Sequence, residues 1–366
     1  MGFLERKKSF GCDFRERIPM GSGYFKTTYR DDLKIFQTRF QKFWLGALAL
    51  LLAVFPFISG QYLLYTANLC GIATIGALGL NILSGFTGQI SLAHAAFLAI
   101  GAYASTLLTL KLGIPFWISL PLAGCIAALC GIIIALPCLR LRGLYLAIAT
   151  IAFAFTVEYI IVHWNSLTNG TSGLTVPHPS LAGFVFDTDK KFYFLILAFV
   201  ILAVVFAKNL FRTEAGRAFI AIRDKDIAAE VIGIHITKYK ILSFMTSSFY
   251  AGIAGGLYAV TLSSIGPEHF NFLVAIQYIA MVLVGGMGSI LGSILGAVFM
   301  TVLPEGIRLF RDALSQDFPF LITRLADLQA SFYGLVIILF LIFEPKGLFG
   351  LWVKVKNYWQ GWPYTY

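Results

Sequence analysis

Charge is what this chain has least of. Of its 366 residues only 13% are charged, about half the share in a soluble domain, while 58% are hydrophobic and the mean hydropathy is +0.80. An ordinary soluble domain is excluded, and the length instead suits a bundle of about ten transmembrane helices of roughly 20 residues each. Cysteine is scarce as well. Cys12, Cys70, Cys125, Cys130 and Cys138 form no CxxC pair and four of them fall in apolar stretches, so a disulfide framework or zinc site is not expected. The chain also lacks GxxxxGK[ST], HExxH and GxSxG runs and any Cys/His cluster with ligand spacing. No catalytic residue, metal ligand or ATP loop of its own is therefore expected. Near the N-terminus no short apolar core ends in a small-residue cleavage site, so no cleaved signal peptide is expected.

What is present is a series of apolar runs, near 43–60, 61–84, 92–110, 114–138, 143–164, 191–209, 241–263, 273–289, 290–304 and 331–349. The formal net charge of +10 lies between these runs, which points to orientation in a bilayer and away from nucleic acid. With the N-terminus in the cytoplasm, 22 of the 28 Lys and Arg fall on the inside and 6 outside, so both termini are expected to be cytoplasmic. The domain reading is a basic N-terminal extension over 1–42, a transmembrane domain over 43–350 and a C-terminal tail over 351–366. Within the extension, Phe25, Tyr29, Leu33, Phe36, Phe40 and Phe43 recur at spacings of three and four between basic residues. This is the pattern of a helix lying on the inner leaflet or on the chain's own cytosolic loops. Residues 1–23 are expected to be a mobile tail.

Two glycine-broken segments echo each other, Gly85-Phe86-Thr87-Gly88-Gln89-Ile90-Ser91 and Gly285-Gly286-Met287-Gly288-Ser289-Ile290-Leu291. Paired breaks in two halves point to a transporter whose route lies near the membrane midplane. Asn81, Ser84, Gly85, Gly88, Gln89, Ser91, His94, Gly285, Gly286 and Gly288 are accordingly candidates for its lining. The competing reading is close helix packing, which the four-residue spacing of Gly288, Gly292 and Gly296 favours; His94 is a route or pH-switch candidate whose preferred reading is a hydrogen-bonded packing residue. Glu158, in the outer part of the fifth run, is either an interfacial carboxylate or a contact for a substrate amine. Asn169-Gly170-Thr171 matches a glycosylation sequon.

The most informative hydrophilic stretch is 213–234, cytoplasmic by charge, which mixes small residues with helix formers as a helix docking on another protein would. Gly216-Arg217-Ala218, Ala221-Ile222-Arg223-Asp224, Ala228-Ala229 and Gly233 resemble the coupling loop of ABC importer permeases for branched-chain amino acids, the LivM type. Asn81 to Gly85, Gly88 to Leu92, His94 to Phe97, Leu139 to Tyr145, the Gly285 run and Phe343 to Gly350 resemble the same family in the same order, over roughly residues 60–352. Ala93 in place of a glycine and Thr168-Asn169-Gly170 in place of Thr-Gly-Gly depart from the pattern and bear on the substrate more than on the class.

The resemblance implies an all-α polytopic membrane protein with the ABC importer permease fold and a cytoplasmic coupling helix, placed in the inner membrane. It implies no cofactor of the chain's own, since ATP and Mg would be bound by cytosolic ATPase subunits. The other implied partners are a second, LivH-like permease, a periplasmic or lipid-anchored substrate-binding protein and membrane lipid. It also implies that Arg217 and Arg223 meet acidic groups of the ATPase while Gly216 and Gly233 allow turns. Specificity would lie with the binding protein, leaving the route only weak polar contacts with its cargo. A permease for urea or short amides shares these motifs, and from another class a self-sufficient secondary transporter stays open.

Overall fold

A computed structural model describes residues 39–141, 143–181, 184–186, 188–314, 325–344 and 346–361. The expected amphipathic pattern between Phe25 and the start of the first helix, and the tail before it, lie outside these residues. The helices run in the order α1 (Arg39–Ile58), α2 (Gln61–Leu80), α3 (His94–Leu112), α4 (Phe116–Cys138), α5 (Leu144–His163), α6 (Asp189–Leu210), α7 (Glu214–Asp224), α8 (Asp226–Val231), α9 (Ile236–Leu262), α10 (Phe272–Gly285), α11 (Ile290–Leu314), α12 (Leu325–Phe343) and α13 (Gly347–Gly361). The described residues within 59–354 form one compact unit, and those within 1–58 and 355–366 a second. In the second, α1 leaves Phe43, Trp44, Leu48, Leu51 and Phe57 exposed, a face that only lipid or protein can cover.

Each of the ten apolar runs marked in the sequence is mostly helical, but fewer than ten meet the length and hydropathy of a span. Seven stretches among the described residues are by themselves long and apolar enough to cross a bilayer: Gln61–Phe86, His94–Leu112, Phe116–Cys138, Leu144–His163, Asp189–Leu210, Pro267–Gly285 and Ile290–Arg308. Boundaries move in three runs, of which that marked 273–289 ends early, at Gly285. The run marked 290–304 extends to Leu314 because Pro304 does not stop the helix and Arg308 pairs with Glu305 one turn back at 3.5 Å. The run marked 331–349 is cut after Phe343, where buried Glu344 takes an ion pair from Lys354 on the next helix.

In the larger unit α9 is the central helix, packed against α4, α3 and α2. Its sequence explains why: Ser247, Ser248, Ala251, Gly252, Ala254, Gly255 and Gly256 are buried small residues, so neighbouring backbones approach without intervening side chains. A Cβ on Gly101 of α3 would overlap the Gly252 carbonyl, and one on Gly255 would overlap that of Leu98. The apolar core is then filled by larger side chains, among them Phe97, Leu120, Ile75, Leu78 and Leu257, each fully enclosed.

The connections segregate to two ends of this bundle. One end holds the short antiparallel pair β1 (Leu174–Thr175) with β4 (Ser264–Ile265), Leu174 opposite Ile265, and the hairpin β2 (Ser180–Leu181) with β3 (Phe184–Val185). It is tied by Lys111 Nζ donating to the Ser166 carbonyl at 2.8 Å and Trp117 Nε1 to that of Ser180 at 3.1 Å. The other end holds the turn after α2, the α4–α5 turn, α7, α8 and the α10–α11 turn.

Candidate coupling site

The site grows from the end of α6. After Leu210 the chain turns, with Thr213 Oγ1 donating to the Leu210 carbonyl at 2.6 Å, and re-enters a helix at Glu214. In α7 the apolar positions 218, 219 and 222 share one face, and Ala218, Phe219 and Ile222 are buried there. Gly216 is buried too, and not in a turn as expected: it lies in the first turn of α7, where a Cβ would stand 2.6 Å from the Leu210 carbonyl oxygen. Glu214 accepts from Tyr239 Oη at 2.8 Å, tying α7 to the first turn of α9, and this bond to a carboxylate raises the phenol above its usual range. Phe211 stacks on Phe86 at 3.5 Å between ring centroids.

The expected coupling segment is two helices. Asp224 ends α7, and α8 follows with Asp226 Oδ1 accepting from the Ile227 amide at 2.9 Å. Gly233 closes the segment with φ of 90°, a conformation that suits only glycine. Ala221 is half-buried and Ala229 buried, whereas Arg217, Asp224 and Ala228 are exposed. Ile227, Val231 and Ile232 turn outward, 67%, 83% and 73% exposed.

The two guanidinium groups part company. Arg217 is exposed and donates to the Arg212 carbonyl at 3.3 Å. Arg223 is turned inward, against the expectation of an outward contact: its Nη1 donates to the Gly85 carbonyl at 2.6 Å. That carbonyl ends a π-helical turn, Asn81–Phe86, which continues α2 and leaves its last carbonyls short of helical partners. The guanidinium supplies a donor at the negative end of the helix.

The residues marked as route lining gather at this same end. Asn81, only 1% exposed, donates through Nδ2 to the Ser289 carbonyl at 2.9 Å and Ser293 Oγ at 2.7 Å, and its Oδ1 accepts from the Gly288 amide at 2.9 Å. Gln89 Nε2 donates to Ser243 Oγ at 2.8 Å, Ser84 Oγ to the Gln89 carbonyl at 3.0 Å, and Ser91 Oγ accepts from the Ala93 amide at 3.3 Å. These polar groups are hydrogen-bonded within the chain, which is the geometry of helix stapling. Gly85 and Gly288 face each other, with a Cβ on Gly85 only 2.6 Å from the Gly288 nitrogen, and Gly88 backs on Arg223. Gly288 has φ of 79° and precedes α11, so the Gly288, Gly292, Gly296 spacing is not one helix face; Gly292 approaches the Gly285 carbonyl to within 2.7 Å of a Cβ. Gly286, with φ of 113°, lies beside the Lys346 carbonyl. His94 stands apart, buried with its ring 4.9 Å from that of Tyr278.

The sequence pattern marks neither Ser243 nor Ser293, and includes Ser289 only within the second glycine-broken segment. Ser289 and Ser293 follow the glycines 288 and 292 by one residue each, a second four-residue stripe that could have marked them. A cavity of about 400 Å³ borders this end, lined by Thr87, Gln89, Leu146, Arg223, Asp226 and Lys240 among others. A second, of about 330 Å³, lies at the opposite end under β1 and β4 with Glu268 and His269 in its wall. Among the described residues no group of His, Cys, Asp and Glu could hold a metal ion.

The comparisons with known proteins agree with this architecture. The family model described as branched-chain amino acid transport system / permease component matches residues 62–341. The chain is 33% identical over 344 residues to the high-affinity branched-chain amino acid transport system permease protein LivM of Escherichia coli, covering 87% of this chain and 77% of that one. The LivM of Salmonella typhimurium is likewise 33% identical, over 84% of this chain and 75% of its own. A probable branched-chain amino acid transport permease protein LivH of Methanocaldococcus jannaschii is 26% identical over 77% of this chain and 90% of its own. No solved structure matches. With a family model covering most of its length and two relatives of 33% identity over more than four fifths of it, the chain belongs to the branched-chain amino acid transport system permease family.

Proposed function

We propose that this chain is a permease subunit of an ABC importer that carries leucine, isoleucine and valine across the cytoplasmic membrane, with ATP hydrolysed by separate subunits. The observation that carries the reading is the likeness to LivM over 87% of the chain, and the exposed apolar face of α8 supports it. Ile227, Val231 and Ile232 belong to no core of this chain and suit a groove on a cytosolic ATPase. The chain does no chemistry and holds no cofactor of its own; ATP and Mg belong to the ATPase. A LivH-like permease completes the pore, and a periplasmic or lipid-anchored binding protein delivers the substrate. The reading takes the α7–α8 end and both termini to be cytoplasmic, which the excess of Lys and Arg on that side supports.

The test reconstitutes the chain in proteoliposomes with its co-purifying permease, ATPases and binding protein, and follows ATP hydrolysis as leucine, isoleucine, valine, urea and acetamide are added in turn. Stimulation by the three branched-chain amino acids is expected. Stimulation by urea or acetamide alone would reassign the substrate, and uptake without any ATPase would make the chain a self-sufficient carrier.

A further inference from the structure

Parts of the chain more than a hundred residues apart meet at the helix breaks, and one side chain connects them to the coupling helix. We propose that Arg223 is the positioning residue that delivers the movement of α7 to both glycine-broken segments, and through Asn81 to the α10–α11 hairpin. The inference rests on the reading of 213–234 as the segment that faces the ATPase.

Most of what holds α7 to the bundle is apolar. Phe219 and Ile222 are buried, and such contacts are non-directional, so they resist separation more than sliding. The Arg223 bond to the Gly85 carbonyl is different in kind: short, at 2.6 Å, charge-assisted and directional. It grips the last turn of the helix that carries Asn81, and Asn81 in turn holds Gly288, Ser289 and Ser293 by three bonds. The packing leaves no slack in this chain of contacts. A side chain at Gly288 would overlap Arg223 Nη1, and one at Gly88 would press on the Arg223 side chain at 3.3 Å. Beyond Gly288, α10 and α11 form a hairpin whose backbones touch at Gly285 and Gly292, so a displacement of one is passed to the other. The polar tie of α7 from Glu214 to Tyr239 leads to the first turn of α9, and that of Arg217 to the Arg212 carbonyl just before α7. Arg223 is thus the group of α7 that bonds a broken helix, and it does so at the carbonyl that the break exposes. A lysine offers a compact ammonium on a flexible stem in place of the planar fork and replaces this grip poorly.

The experiment measures substrate accumulated per ATP hydrolysed by the complete complex in proteoliposomes, for the wild type, Arg223→Gln, Arg223→Lys and Gly288→Ala. A ratio cancels any loss of folded complex, which lowers both rates alike. The expected result is a ratio reduced on the order of tenfold in Arg223→Gln, by less in Arg223→Lys, and reduced also in Gly288→Ala, which displaces the guanidinium and keeps its charge. An unchanged ratio in Arg223→Gln, whatever happens to the two rates, overturns the inference and leaves the importer reading intact. A wild-type complex that moves substrate with no hydrolysis of ATP overturns both.

Discussion

At the scale of single residues, the structure depends on buried polar groups whose partners lie far away in sequence. Asn81 uses both amide hydrogens and its oxygen on residues 207 to 212 positions downstream. Asn81→Asp keeps the shape but removes the donors and sets a carboxylate against the Ser289 carbonyl. Leaving buried groups unsatisfied costs roughly 1–3 kcal/mol. The melting temperature of the detergent-solubilised chain is expected to drop by several degrees, read by tryptophan fluorescence, and a melt equal to the wild type would show that the bonds are not made. That Asn81 matters was legible from its place before a glycine break; that it staples helices was not, because nothing in a local pattern gives the register between segments two hundred residues apart. Arg223 was legible in a way Arg217 was not. It follows the buried Phe219 by four positions and so shares its helix face, whereas Arg217 lies on the opposite one. The resemblance to a family motif assigned both arginines to one outward role, and the period of 3.6 separates them.

Among the elements, the spans were the most legible because an apolar run of bilayer length has few alternatives. Their ends were less so: Pro304 did not end α11, and the apolar run after residue 331 was cut at a buried ion pair, both being tertiary outcomes. The break of 213–234 into α7 and α8 follows from Lys225, whose extended backbone, φ −158°, separates two helix starts. This division gives each helix its own task, with α7 facing the bundle and α8 presenting apolar side chains outward. Replacing that surface by the pair Val231→Glu and Ile232→Ser is expected to abolish co-purification of the ATPase and ATP-driven uptake, while the chain still inserts into the membrane. Both side chains are exposed, so the fold loses little. Retained ATPase binding would place the docking surface elsewhere on this end of the molecule.

Taken whole, the larger unit sorts its connections to two ends, and charge distinguishes them. The end with α7 and α8 carries Arg140, Arg212, Arg217, Arg223, Lys225 and Lys238, while the end with the β pairs carries Lys111, Lys190 and Lys191. Under the proposed function the first is the cytoplasmic end, as the positive-inside rule favours, where an ATPase reaches it. A misplaced span anywhere between α2 and α9 would scatter these residues over both ends, so their segregation and the helix order support one another. The orientation is tested by labelling with a membrane-impermeant maleimide in a variant whose native cysteines are replaced. Ser166 and Glu230 are both exposed, on opposite ends. Ser166→Cys is expected to react in intact spheroplasts, and Glu230→Cys only after the membrane is permeabilised. The reverse pattern would invert the molecule and leave the coupling helices facing away from any cytosolic ATPase, which would end the importer reading on topology alone.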